Sequence, residues 1–318
     1  MNGHFTGQPD GLSVDVVIEL LASPGAPSTT QAGAQGRGAG PVGLVLGGAI
    51  SVQFGAAVAA LLFPRAGVAG VVMLRLVIAA VLLTAVSRPR LRGYDRTDWL
   101  TVGGFGVALA GMNALIYEAI DRIPLGVAVT VEVLGPLVLS VVTGRRASRW
   151  LWAALALAGV TALGHGGIDG SLDLVGIAFA GAAAATWAGY ILLSACVGKR
   201  FPKADGLALA MSVAAVLTLP WGVAVSGPAL IDPVTIGLGA AVAVLSSVLP
   251  YTLEMLALRR MPTSTFAVLM SLGPAIAALA GYLVLSQALS LTPLLGIGLV
   301  IAASVGAATP PRAARSSA

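Results

Sequence analysis

Arg122–Pro136, RIPLGVAVTVEVLGP, returns 138 residues later as Arg260–Pro274, RMPTSTFAVLMSLGP. In each copy a basic residue and a proline lead into an apolar helix, and Leu-Gly-Pro interrupts that helix near its middle. Proline cannot donate the helical hydrogen bond at its position, so the interruption is dictated locally. Interrupted hydrophobic helices at corresponding places in two halves of a chain point to a ligand site between two membrane-embedded repeats.

The composition agrees with that reading. The 318 residues are 57% hydrophobic and only 10% charged, and the mean hydropathy is +0.94. A soluble domain carries roughly 25% charged residues, so this chain has too few to build a water-facing surface. Apolar stretches follow one another from Pro41 to Ala308, at about 41–62, 67–86, 99–120, 124–143, 149–164, 173–197, 205–225, 234–258, 262–285 and 291–308. Stretches of roughly 20 residues cross a ~30 Å hydrocarbon core as helices. Runs such as Ala153–Val160 are uniformly apolar, whereas the strands of a membrane β-barrel alternate. The expected fold is therefore an all-α integral membrane protein with ten transmembrane helices.

The chain is basic, with a pI near 9.9, and the placement of its charge decides what that means. With a cytoplasmic amino terminus, 15 of the 18 Lys and Arg residues fall on the cytoplasmic side; Arg65 and Arg122 lie outside and Arg75 within a span. The opposite orientation would violate the positive-inside rule. The charge thus reads as a topology signal with both termini inside, and no nucleic-acid partner is implied. Cys196 is the single cysteine, which excludes an intramolecular disulfide and a multi-cysteine metal site. The first forty residues lack the basic-then-apolar order of a cleaved signal. Ala22–Gly40 reads as a disordered arm, and Gly11–Leu21 as a short amphipathic surface helix.

The halves echo each other a second time, at an offset of 133. Gly43, Gly47, Ser51 and Gly55 align with Gly176, Ala180, Ala184 and Ala188, and each set forms a stripe of small residues on one helix face. Such stripes let helices approach closely in lipid. The expected organisation is a cytoplasmic arm at 1–40, a first five-helix repeat at 41–164, a second at 173–308 and a cytoplasmic tail at 309–318. Five is odd, so the second copy must cross in the opposite sense, giving inverted repeats suited to alternating access.

Two charges are expected deep in the membrane. Arg75 and Glu132 each lie about eight residues from the outer end of a span, roughly 12 Å deep. A charge there costs about 2.5–3.5 kcal/mol unless it is paired or lines a watery cavity. Glu132 can meet a substrate ammonium or a proton and Arg75 a carboxylate, or the two can form a structural ion pair. Asn113 and Tyr117 share one helix face, as do Trp187 and Tyr190; these polar and aromatic groups suit a cavity wall or ordinary packing. Glu254, one turn beyond Pro250-Tyr251, is a further candidate, while Glu118 can snorkel to headgroup water. Gly135-Pro136 and Gly273-Pro274 would free backbone groups toward a ligand.

Enzyme signatures are missing from the sequence. There is no His-Glu-x-x-His, Gly-x-Ser-x-Gly or Walker pattern, and His4 and His165 lie in the tail and at a helix end. Gly38-x-Gly40-x-x-Gly43 matches a dinucleotide pattern literally but lacks its strand–turn–helix setting. No cofactor or metal is implied.

Leu74-Arg75-Leu76, Gly111-Met112-Asn113, Pro124–Val129, Glu132 before Gly135-Pro136-Leu137, Trp187 with Tyr190, Leu249–Met255, Met261-Pro262-Thr263 through Phe266 and Leu269–Ser271 together resemble the drug/metabolite transporter superfamily, in particular its EamA-type ten-helix members. The resemblance runs from about residue 41 to 308. It implies two five-helix repeats around a central cavity in a bacterial inner membrane. The implied activity is export of small amino acids or related metabolites, of the threonine and homoserine type, in exchange for protons. Two departures stand out: this chain has Gly273 where the family commonly has Glu, and Ser286-Gln287 where it commonly has Gly-Glu. That leaves Glu132 as the main acidic candidate. The rival expectations are efflux of hydrophobic cations, which would not need Arg75, and a non-transporting membrane scaffold or membrane enzyme.

Overall fold

The computed structural model describes residues 40–142, 148–164, 173–202, 204–258, 260–261 and 263–308. The arm up to residue 39, with its expected surface helix, and the carboxy-terminal tail lie outside the described residues, as does His165.

Among the described residues there are helices and no strands. In chain order they are α1 (Gly40–Ser87), α2 (Arg96–Arg122), α3 (Leu125–Glu132), α4 (Leu134–Val142), α5 (Ser148–Gly164), α6 (Leu174–Arg200) and α7 (Asp205–Ser226). A 3₁₀ turn (Gly227–Ile231) leads to α8 (Pro233–Ala243), a π-helical turn (Val244–Val248) and α9 (Leu249–Leu258). The chain closes with α10 (Thr263–Met270), α11 (Gly273–Leu285) and α12 (Leu291–Ala308). The 48 residues of α1 are two helices joined at Gly67, whose φ of 64° and ψ of 167° are open to glycine and strained for other residues. Pro64 precedes that joint.

Five helical stretches are long and apolar enough to cross a membrane: Gly40–Ser87, Arg96–Arg122, Leu174–Arg200, Asp205–Ile231 and Val268–Leu285. Shorter apolar helices occupy Leu125–Leu139, Pro233–Val248 and Leu291–Gly306. The stretches expected at 124–143, 234–258 and 262–285 are each continuous in sequence but broken in structure, at Val133, at Val244–Val248 and at Ser271-Leu272.

The fold is held by close helix contacts. The most extensive pair α1 with α7, α2 with α6, and α5 with α12. Glycines mark the tight crossings: a Cβ added at Gly106 would fall 2.6 Å from Val213, and one at Gly222 would fall 2.5 Å from Met73. The stripes of small residues are used in this way. Gly47 and Gly48 carry α9, Ser51 and Gly55 carry the π-helical turn, and Gly176 packs on Ile123. Large apolar side chains such as Leu61, Val81, Val216, Leu283 and Leu295 are exposed, the pattern of a surface that meets lipid.

Charged groups gather at the helix ends. Arg200 pairs with Asp98 at 2.8 Å, Arg65 with Asp232 at 3.4 Å, and Arg122 with Glu118. Asp95 and Asp98 form a capping box at the start of α2. Asp232 caps α8, and the Thr235 hydroxyl beside it holds its carboxyl below the usual carboxylate range.

Candidate functional site: a broken helix and a half-buried arginine

The repeated phrase gives the same backbone twice. Helix α3 runs for eight residues from Leu125 and breaks at Val133; α10 runs for eight residues from Thr263 and breaks at Ser271-Leu272. These positions coincide at the 138-residue offset of the sequence repeat. Pro136 and Pro274 carry no N–H, so the carbonyls of Glu132 and Met270 lose their donors four residues on.

Glu132 is therefore the last residue of α3, half-buried, on the edge of the break. Its placement is rigid. A Cβ at Gly126 would fall 2.7 Å from that of Ala278 on α11, and one at Gly135 would collide with the Ala184 carbonyl of α6. The chain is clamped on both sides of the glutamate. Among the described residues its carboxylate makes no hydrogen bond or ion pair, though Arg75 acts on it electrostatically. Gln53, buried on α1, brings its amide nitrogen to 3.7 Å from where a Cβ at Gly273 would lie. Trp187 is half-buried one turn beyond Ala184, on the α6 face that backs Gly135.

The ion pair considered for Arg75 and Glu132 does not form. The Arg75 Nη1 donates to the Tyr117 hydroxyl at 2.9 Å and Nη2 to the Ser246 carbonyl at 3.1 Å, while Nε lies 3.5 Å from the Ser247 hydroxyl. Its guanidinium also sits 5.4 Å from the Tyr117 ring centroid. Tyr117 is 1% exposed, so it anchors the arginine and does not face a cavity. Asn113 is buried too, and its amide donates to the Leu109 carbonyl of its own helix at 2.8 Å.

The remaining candidates are dispersed. Tyr190 stacks on Phe105 with ring centroids 5.0 Å apart, beside a 160 Å³ pocket that Ser194 and Phe201 also line. Glu254 packs its Cγ 3.6 Å from the Cβ position of Gly48, near the start of α1. Tyr251 lies in α9, and its side chain is outside the described residues. An apolar groove of about 580 Å³ lies between α11 and α12, bordered by Gln287; it does not contain Glu132. Among the described residues no cluster of His, Cys, Asp or Glu can hold a metal ion.

Sequence reasoning missed two polar devices. Gln287, besides bordering the apolar groove, accepts at Oε1 from the Leu125 N–H at 3.0 Å and so caps the first turn of α3. Ser246 and Ser247 were overlooked, although Pro250 lies four residues beyond Ser246 and signals that the Ser246 carbonyl lacks a helical donor.

Comparison with known proteins gives this arrangement its context. Residues 174–309 match the EamA-like transporter family. The chain is 41% identical over 267 residues to the threonine/homoserine exporter RhtA of Escherichia coli (strain K12), covering 84% of this chain and 90% of the relative. The exporter of the same name from Salmonella typhimurium (strain LT2) is 40% identical over the same length. An uncharacterized transporter of Bacillus subtilis (strain 168), YwfM, is 26% identical over 212 residues, 64% of this chain and 71% of its own. A protein crystal structure aligns with a TM-score of 0.57 at 20% identity, over 84% of this chain and 96% of that one, which is a likeness of fold alone. The helices, the two broken copies of one phrase and this identity across the chain's length agree: the protein belongs to the EamA-like transporter family, and is a membrane transporter and not an enzyme.

Proposed function

We propose that this protein exports small amino acids of the threonine and homoserine type across a bacterial inner membrane. The observation that carries this is the 41% identity, over nine-tenths of its length, to a relative named for that export. In this reading the chain crosses the membrane ten times, with both termini cytoplasmic. Residues 41–164 and 173–308 form two inverted five-helix units, between an arm and a tail. Two related halves meeting at a central site can open it to either side at similar energy.

Glu132 is the charged group of that site. It lies where α3 breaks, no basic side chain among the described residues pairs with it, and Pro136 leaves its own carbonyl without a helical donor. A carboxylate and a carbonyl together suit an ammonium group, and the carboxylate can take a proton when the ammonium leaves, which would couple export to proton entry. Trp187 on α6 and Gly135-Pro136 flank that break, and Gln53 on α1 lies beside Gly273-Pro274 at the second one.

Efflux of labelled threonine and homoserine from cells expressing the chain tests the proposal. Export that disappears in Glu132→Gln, at equal membrane level, supports it; no export by the intact protein, or full export by the variant, overturns it or removes Glu132 from it. A second reading, efflux of lipophilic cations, is favoured by one observation: Arg75 is committed to Tyr117 and Ser246 and offers no free cation to a substrate carboxylate. Lipophilic-cation efflux without threonine efflux would select it.

A further inference from the structure

The helix that carries Glu254 contains one turn too wide. At Val244–Val248 the backbone is π-helical, and the Leu249 N–H donates to the Val244 carbonyl five residues back. That shift takes from the Leu245 carbonyl the donor an α-helix would give it. Pro250 has no N–H, so the Ser246 carbonyl loses its α-helical donor as well. Two consecutive carbonyls in a membrane-embedded helix must then be satisfied from elsewhere. They are: Ser51 donates to Leu245 at 2.6 Å and Arg75 donates to Ser246 at 3.1 Å. Tyr117 fixes the arginine from the other side at 2.9 Å.

We propose that Arg75 is a positioning residue, which holds the wide turn open and thereby sets the rotation of α9 on α1, and does not bind the transported molecule. An extra residue in a helical turn rotates everything after it by about 100°. With the turn in place, α9 presents Leu253 and Glu254 to the glycines of α1: the Leu253 Cβ lies 3.7 Å from the Cβ position of Gly48, and the Glu254 Cγ 3.6 Å from it. Relaxed to a regular α-helix, the same residues turn away from Gly48 and Glu254 loses its place. The arginine reaches this effect by bonds to neutral groups, using the fork of its guanidinium to meet a carbonyl and a phenol at once. The proposal concerns rotation of a helix and holds whatever the cargo is.

A cysteine pair reads that rotation directly. With Cys196→Ser as background, Gly48→Cys with Leu253→Cys places two Cβ atoms 3.7 Å apart, the separation found in disulfides. A second pair, Leu125→Cys with Gly281→Cys, at 3.5 Å, reports packing of α3 on α11, away from the wide turn. Both pairs should cross-link on mild oxidation in membranes. Arg75→Gln is expected to lower the yield of the first pair several-fold and leave the second unchanged. Tyr117→Phe, a milder change that removes one of the arginine's partners, should lower the first yield by less, again sparing the second. Arg75→Lys should behave like Arg75→Gln, because a single ammonium cannot span both acceptors. If the first pair cross-links fully in Arg75→Gln and in Tyr117→Phe, the proposal fails. If Arg75→Gln abolishes both pairs, Tyr117→Phe decides: an unchanged first yield there overturns the assignment. None of these readouts requires transport, so they stand apart from the exporter proposal.

Discussion

The two copies of the repeated phrase share a backbone and divide the chemistry. Leu125–Glu132 and Thr263–Met270 are helices of equal length that break at the same place, and each is followed by a proline that strips one carbonyl of its donor. Yet the first break carries Glu132 and the second carries Met270 in the corresponding position. The first is pinched by glycines against Ala278 and Ala184, while a Cβ at Gly273 of the second would meet, among the described residues, the Gln53 amide at 3.7 Å. Symmetry of backbone therefore builds the site, and asymmetry of side chains gives it a sign. In the proposed exporter, Gly273 at the second break leaves Glu132 as the charged group of the pair.

The largest effect should come from erasing that asymmetry. Glu132→Gln is expected to abolish efflux at an unchanged membrane level, whereas Met270→Leu, which keeps volume and polarity, should leave efflux near that of the parent. Equal losses in both would mean that the two breaks act alike and that charge is not what separates them.

Next in size is the contrast between the two glycines. Gly135→Ala would drive a Cβ into the backbone of α6 at Ala184, which cannot step aside as a flexible side chain can. Overpacking of this kind costs about 1–3 kcal/mol. Gly273→Ala meets nothing closer than 3.7 Å and should leave stability unchanged. Thermal unfolding in detergent, followed by loss of monodispersity, should show a clear fall in midpoint for the first and none for the second.

The capping contact comes third. Gln287→Ala leaves the Leu125 N–H without its acceptor, and loss of such a cap costs about 1 kcal/mol. Gln287→Glu keeps the acceptor and adds a negative charge at a helix N-terminus, worth about 0.3–1 kcal/mol. The midpoint should fall in the alanine variant and hold or rise in the glutamate variant. A fall in both would assign Gln287 a role other than capping.

What the sequence discloses here and what it hides have distinct physical causes. Hydropathy, the Leu-Gly-Pro interruptions and the small-residue stripes are local or periodic, and they led to helices, to interruptions near Val133 and Ser271-Leu272, and to a packing seam along Gly47, Ser51 and Gly55, whose partners, α9 and the wide turn, only the structure shows. Arg75 was legible as a charge within a span because any arginine in an apolar stretch is conspicuous. Its partners were not: Ser246 lies 171 residues away, and a neutral carbonyl leaves no trace in composition. One of the two sequence readings paired Arg75 with Glu132, but the guanidinium goes to the Ser246 carbonyl and the Tyr117 hydroxyl. The same lesson holds for Gln287, whose partner is a backbone N–H 162 residues away. Tyr117 and Tyr190, both read as cavity wall, separate once packing is known: one is sealed beneath Arg75 and the other stacks on Phe105.

The smallest effect concerns the end of α11, and it sharpens the comparison with the family's Gly-Glu. Ser286 closes the helix in the left-handed region, with φ 55° and ψ 30°, and the following Gln287 N–H folds back to the Gly281 carbonyl at 3.0 Å. A residue with a Cβ is strained there by about 1–2 kcal/mol, and glycine is not. Glycine in turn loses about 0.5–1 kcal/mol more than other residues through its freedom in the unfolded chain. Ser286→Gly should thus raise the unfolding midpoint only slightly, by less than Gln287→Ala lowers it. The gain should add to that of Gln287→Glu only if the two act independently, because backbone strain and cap charge are separate terms. Adjacent residues on one turn can couple: if the double variant gains more than the two single variants together, relief of the Ser286 backbone lets residue 287 approach Leu125 more closely. Chain reversal and cap would then be one device, and the carboxy-terminal end of α11 would be set by both residues at once.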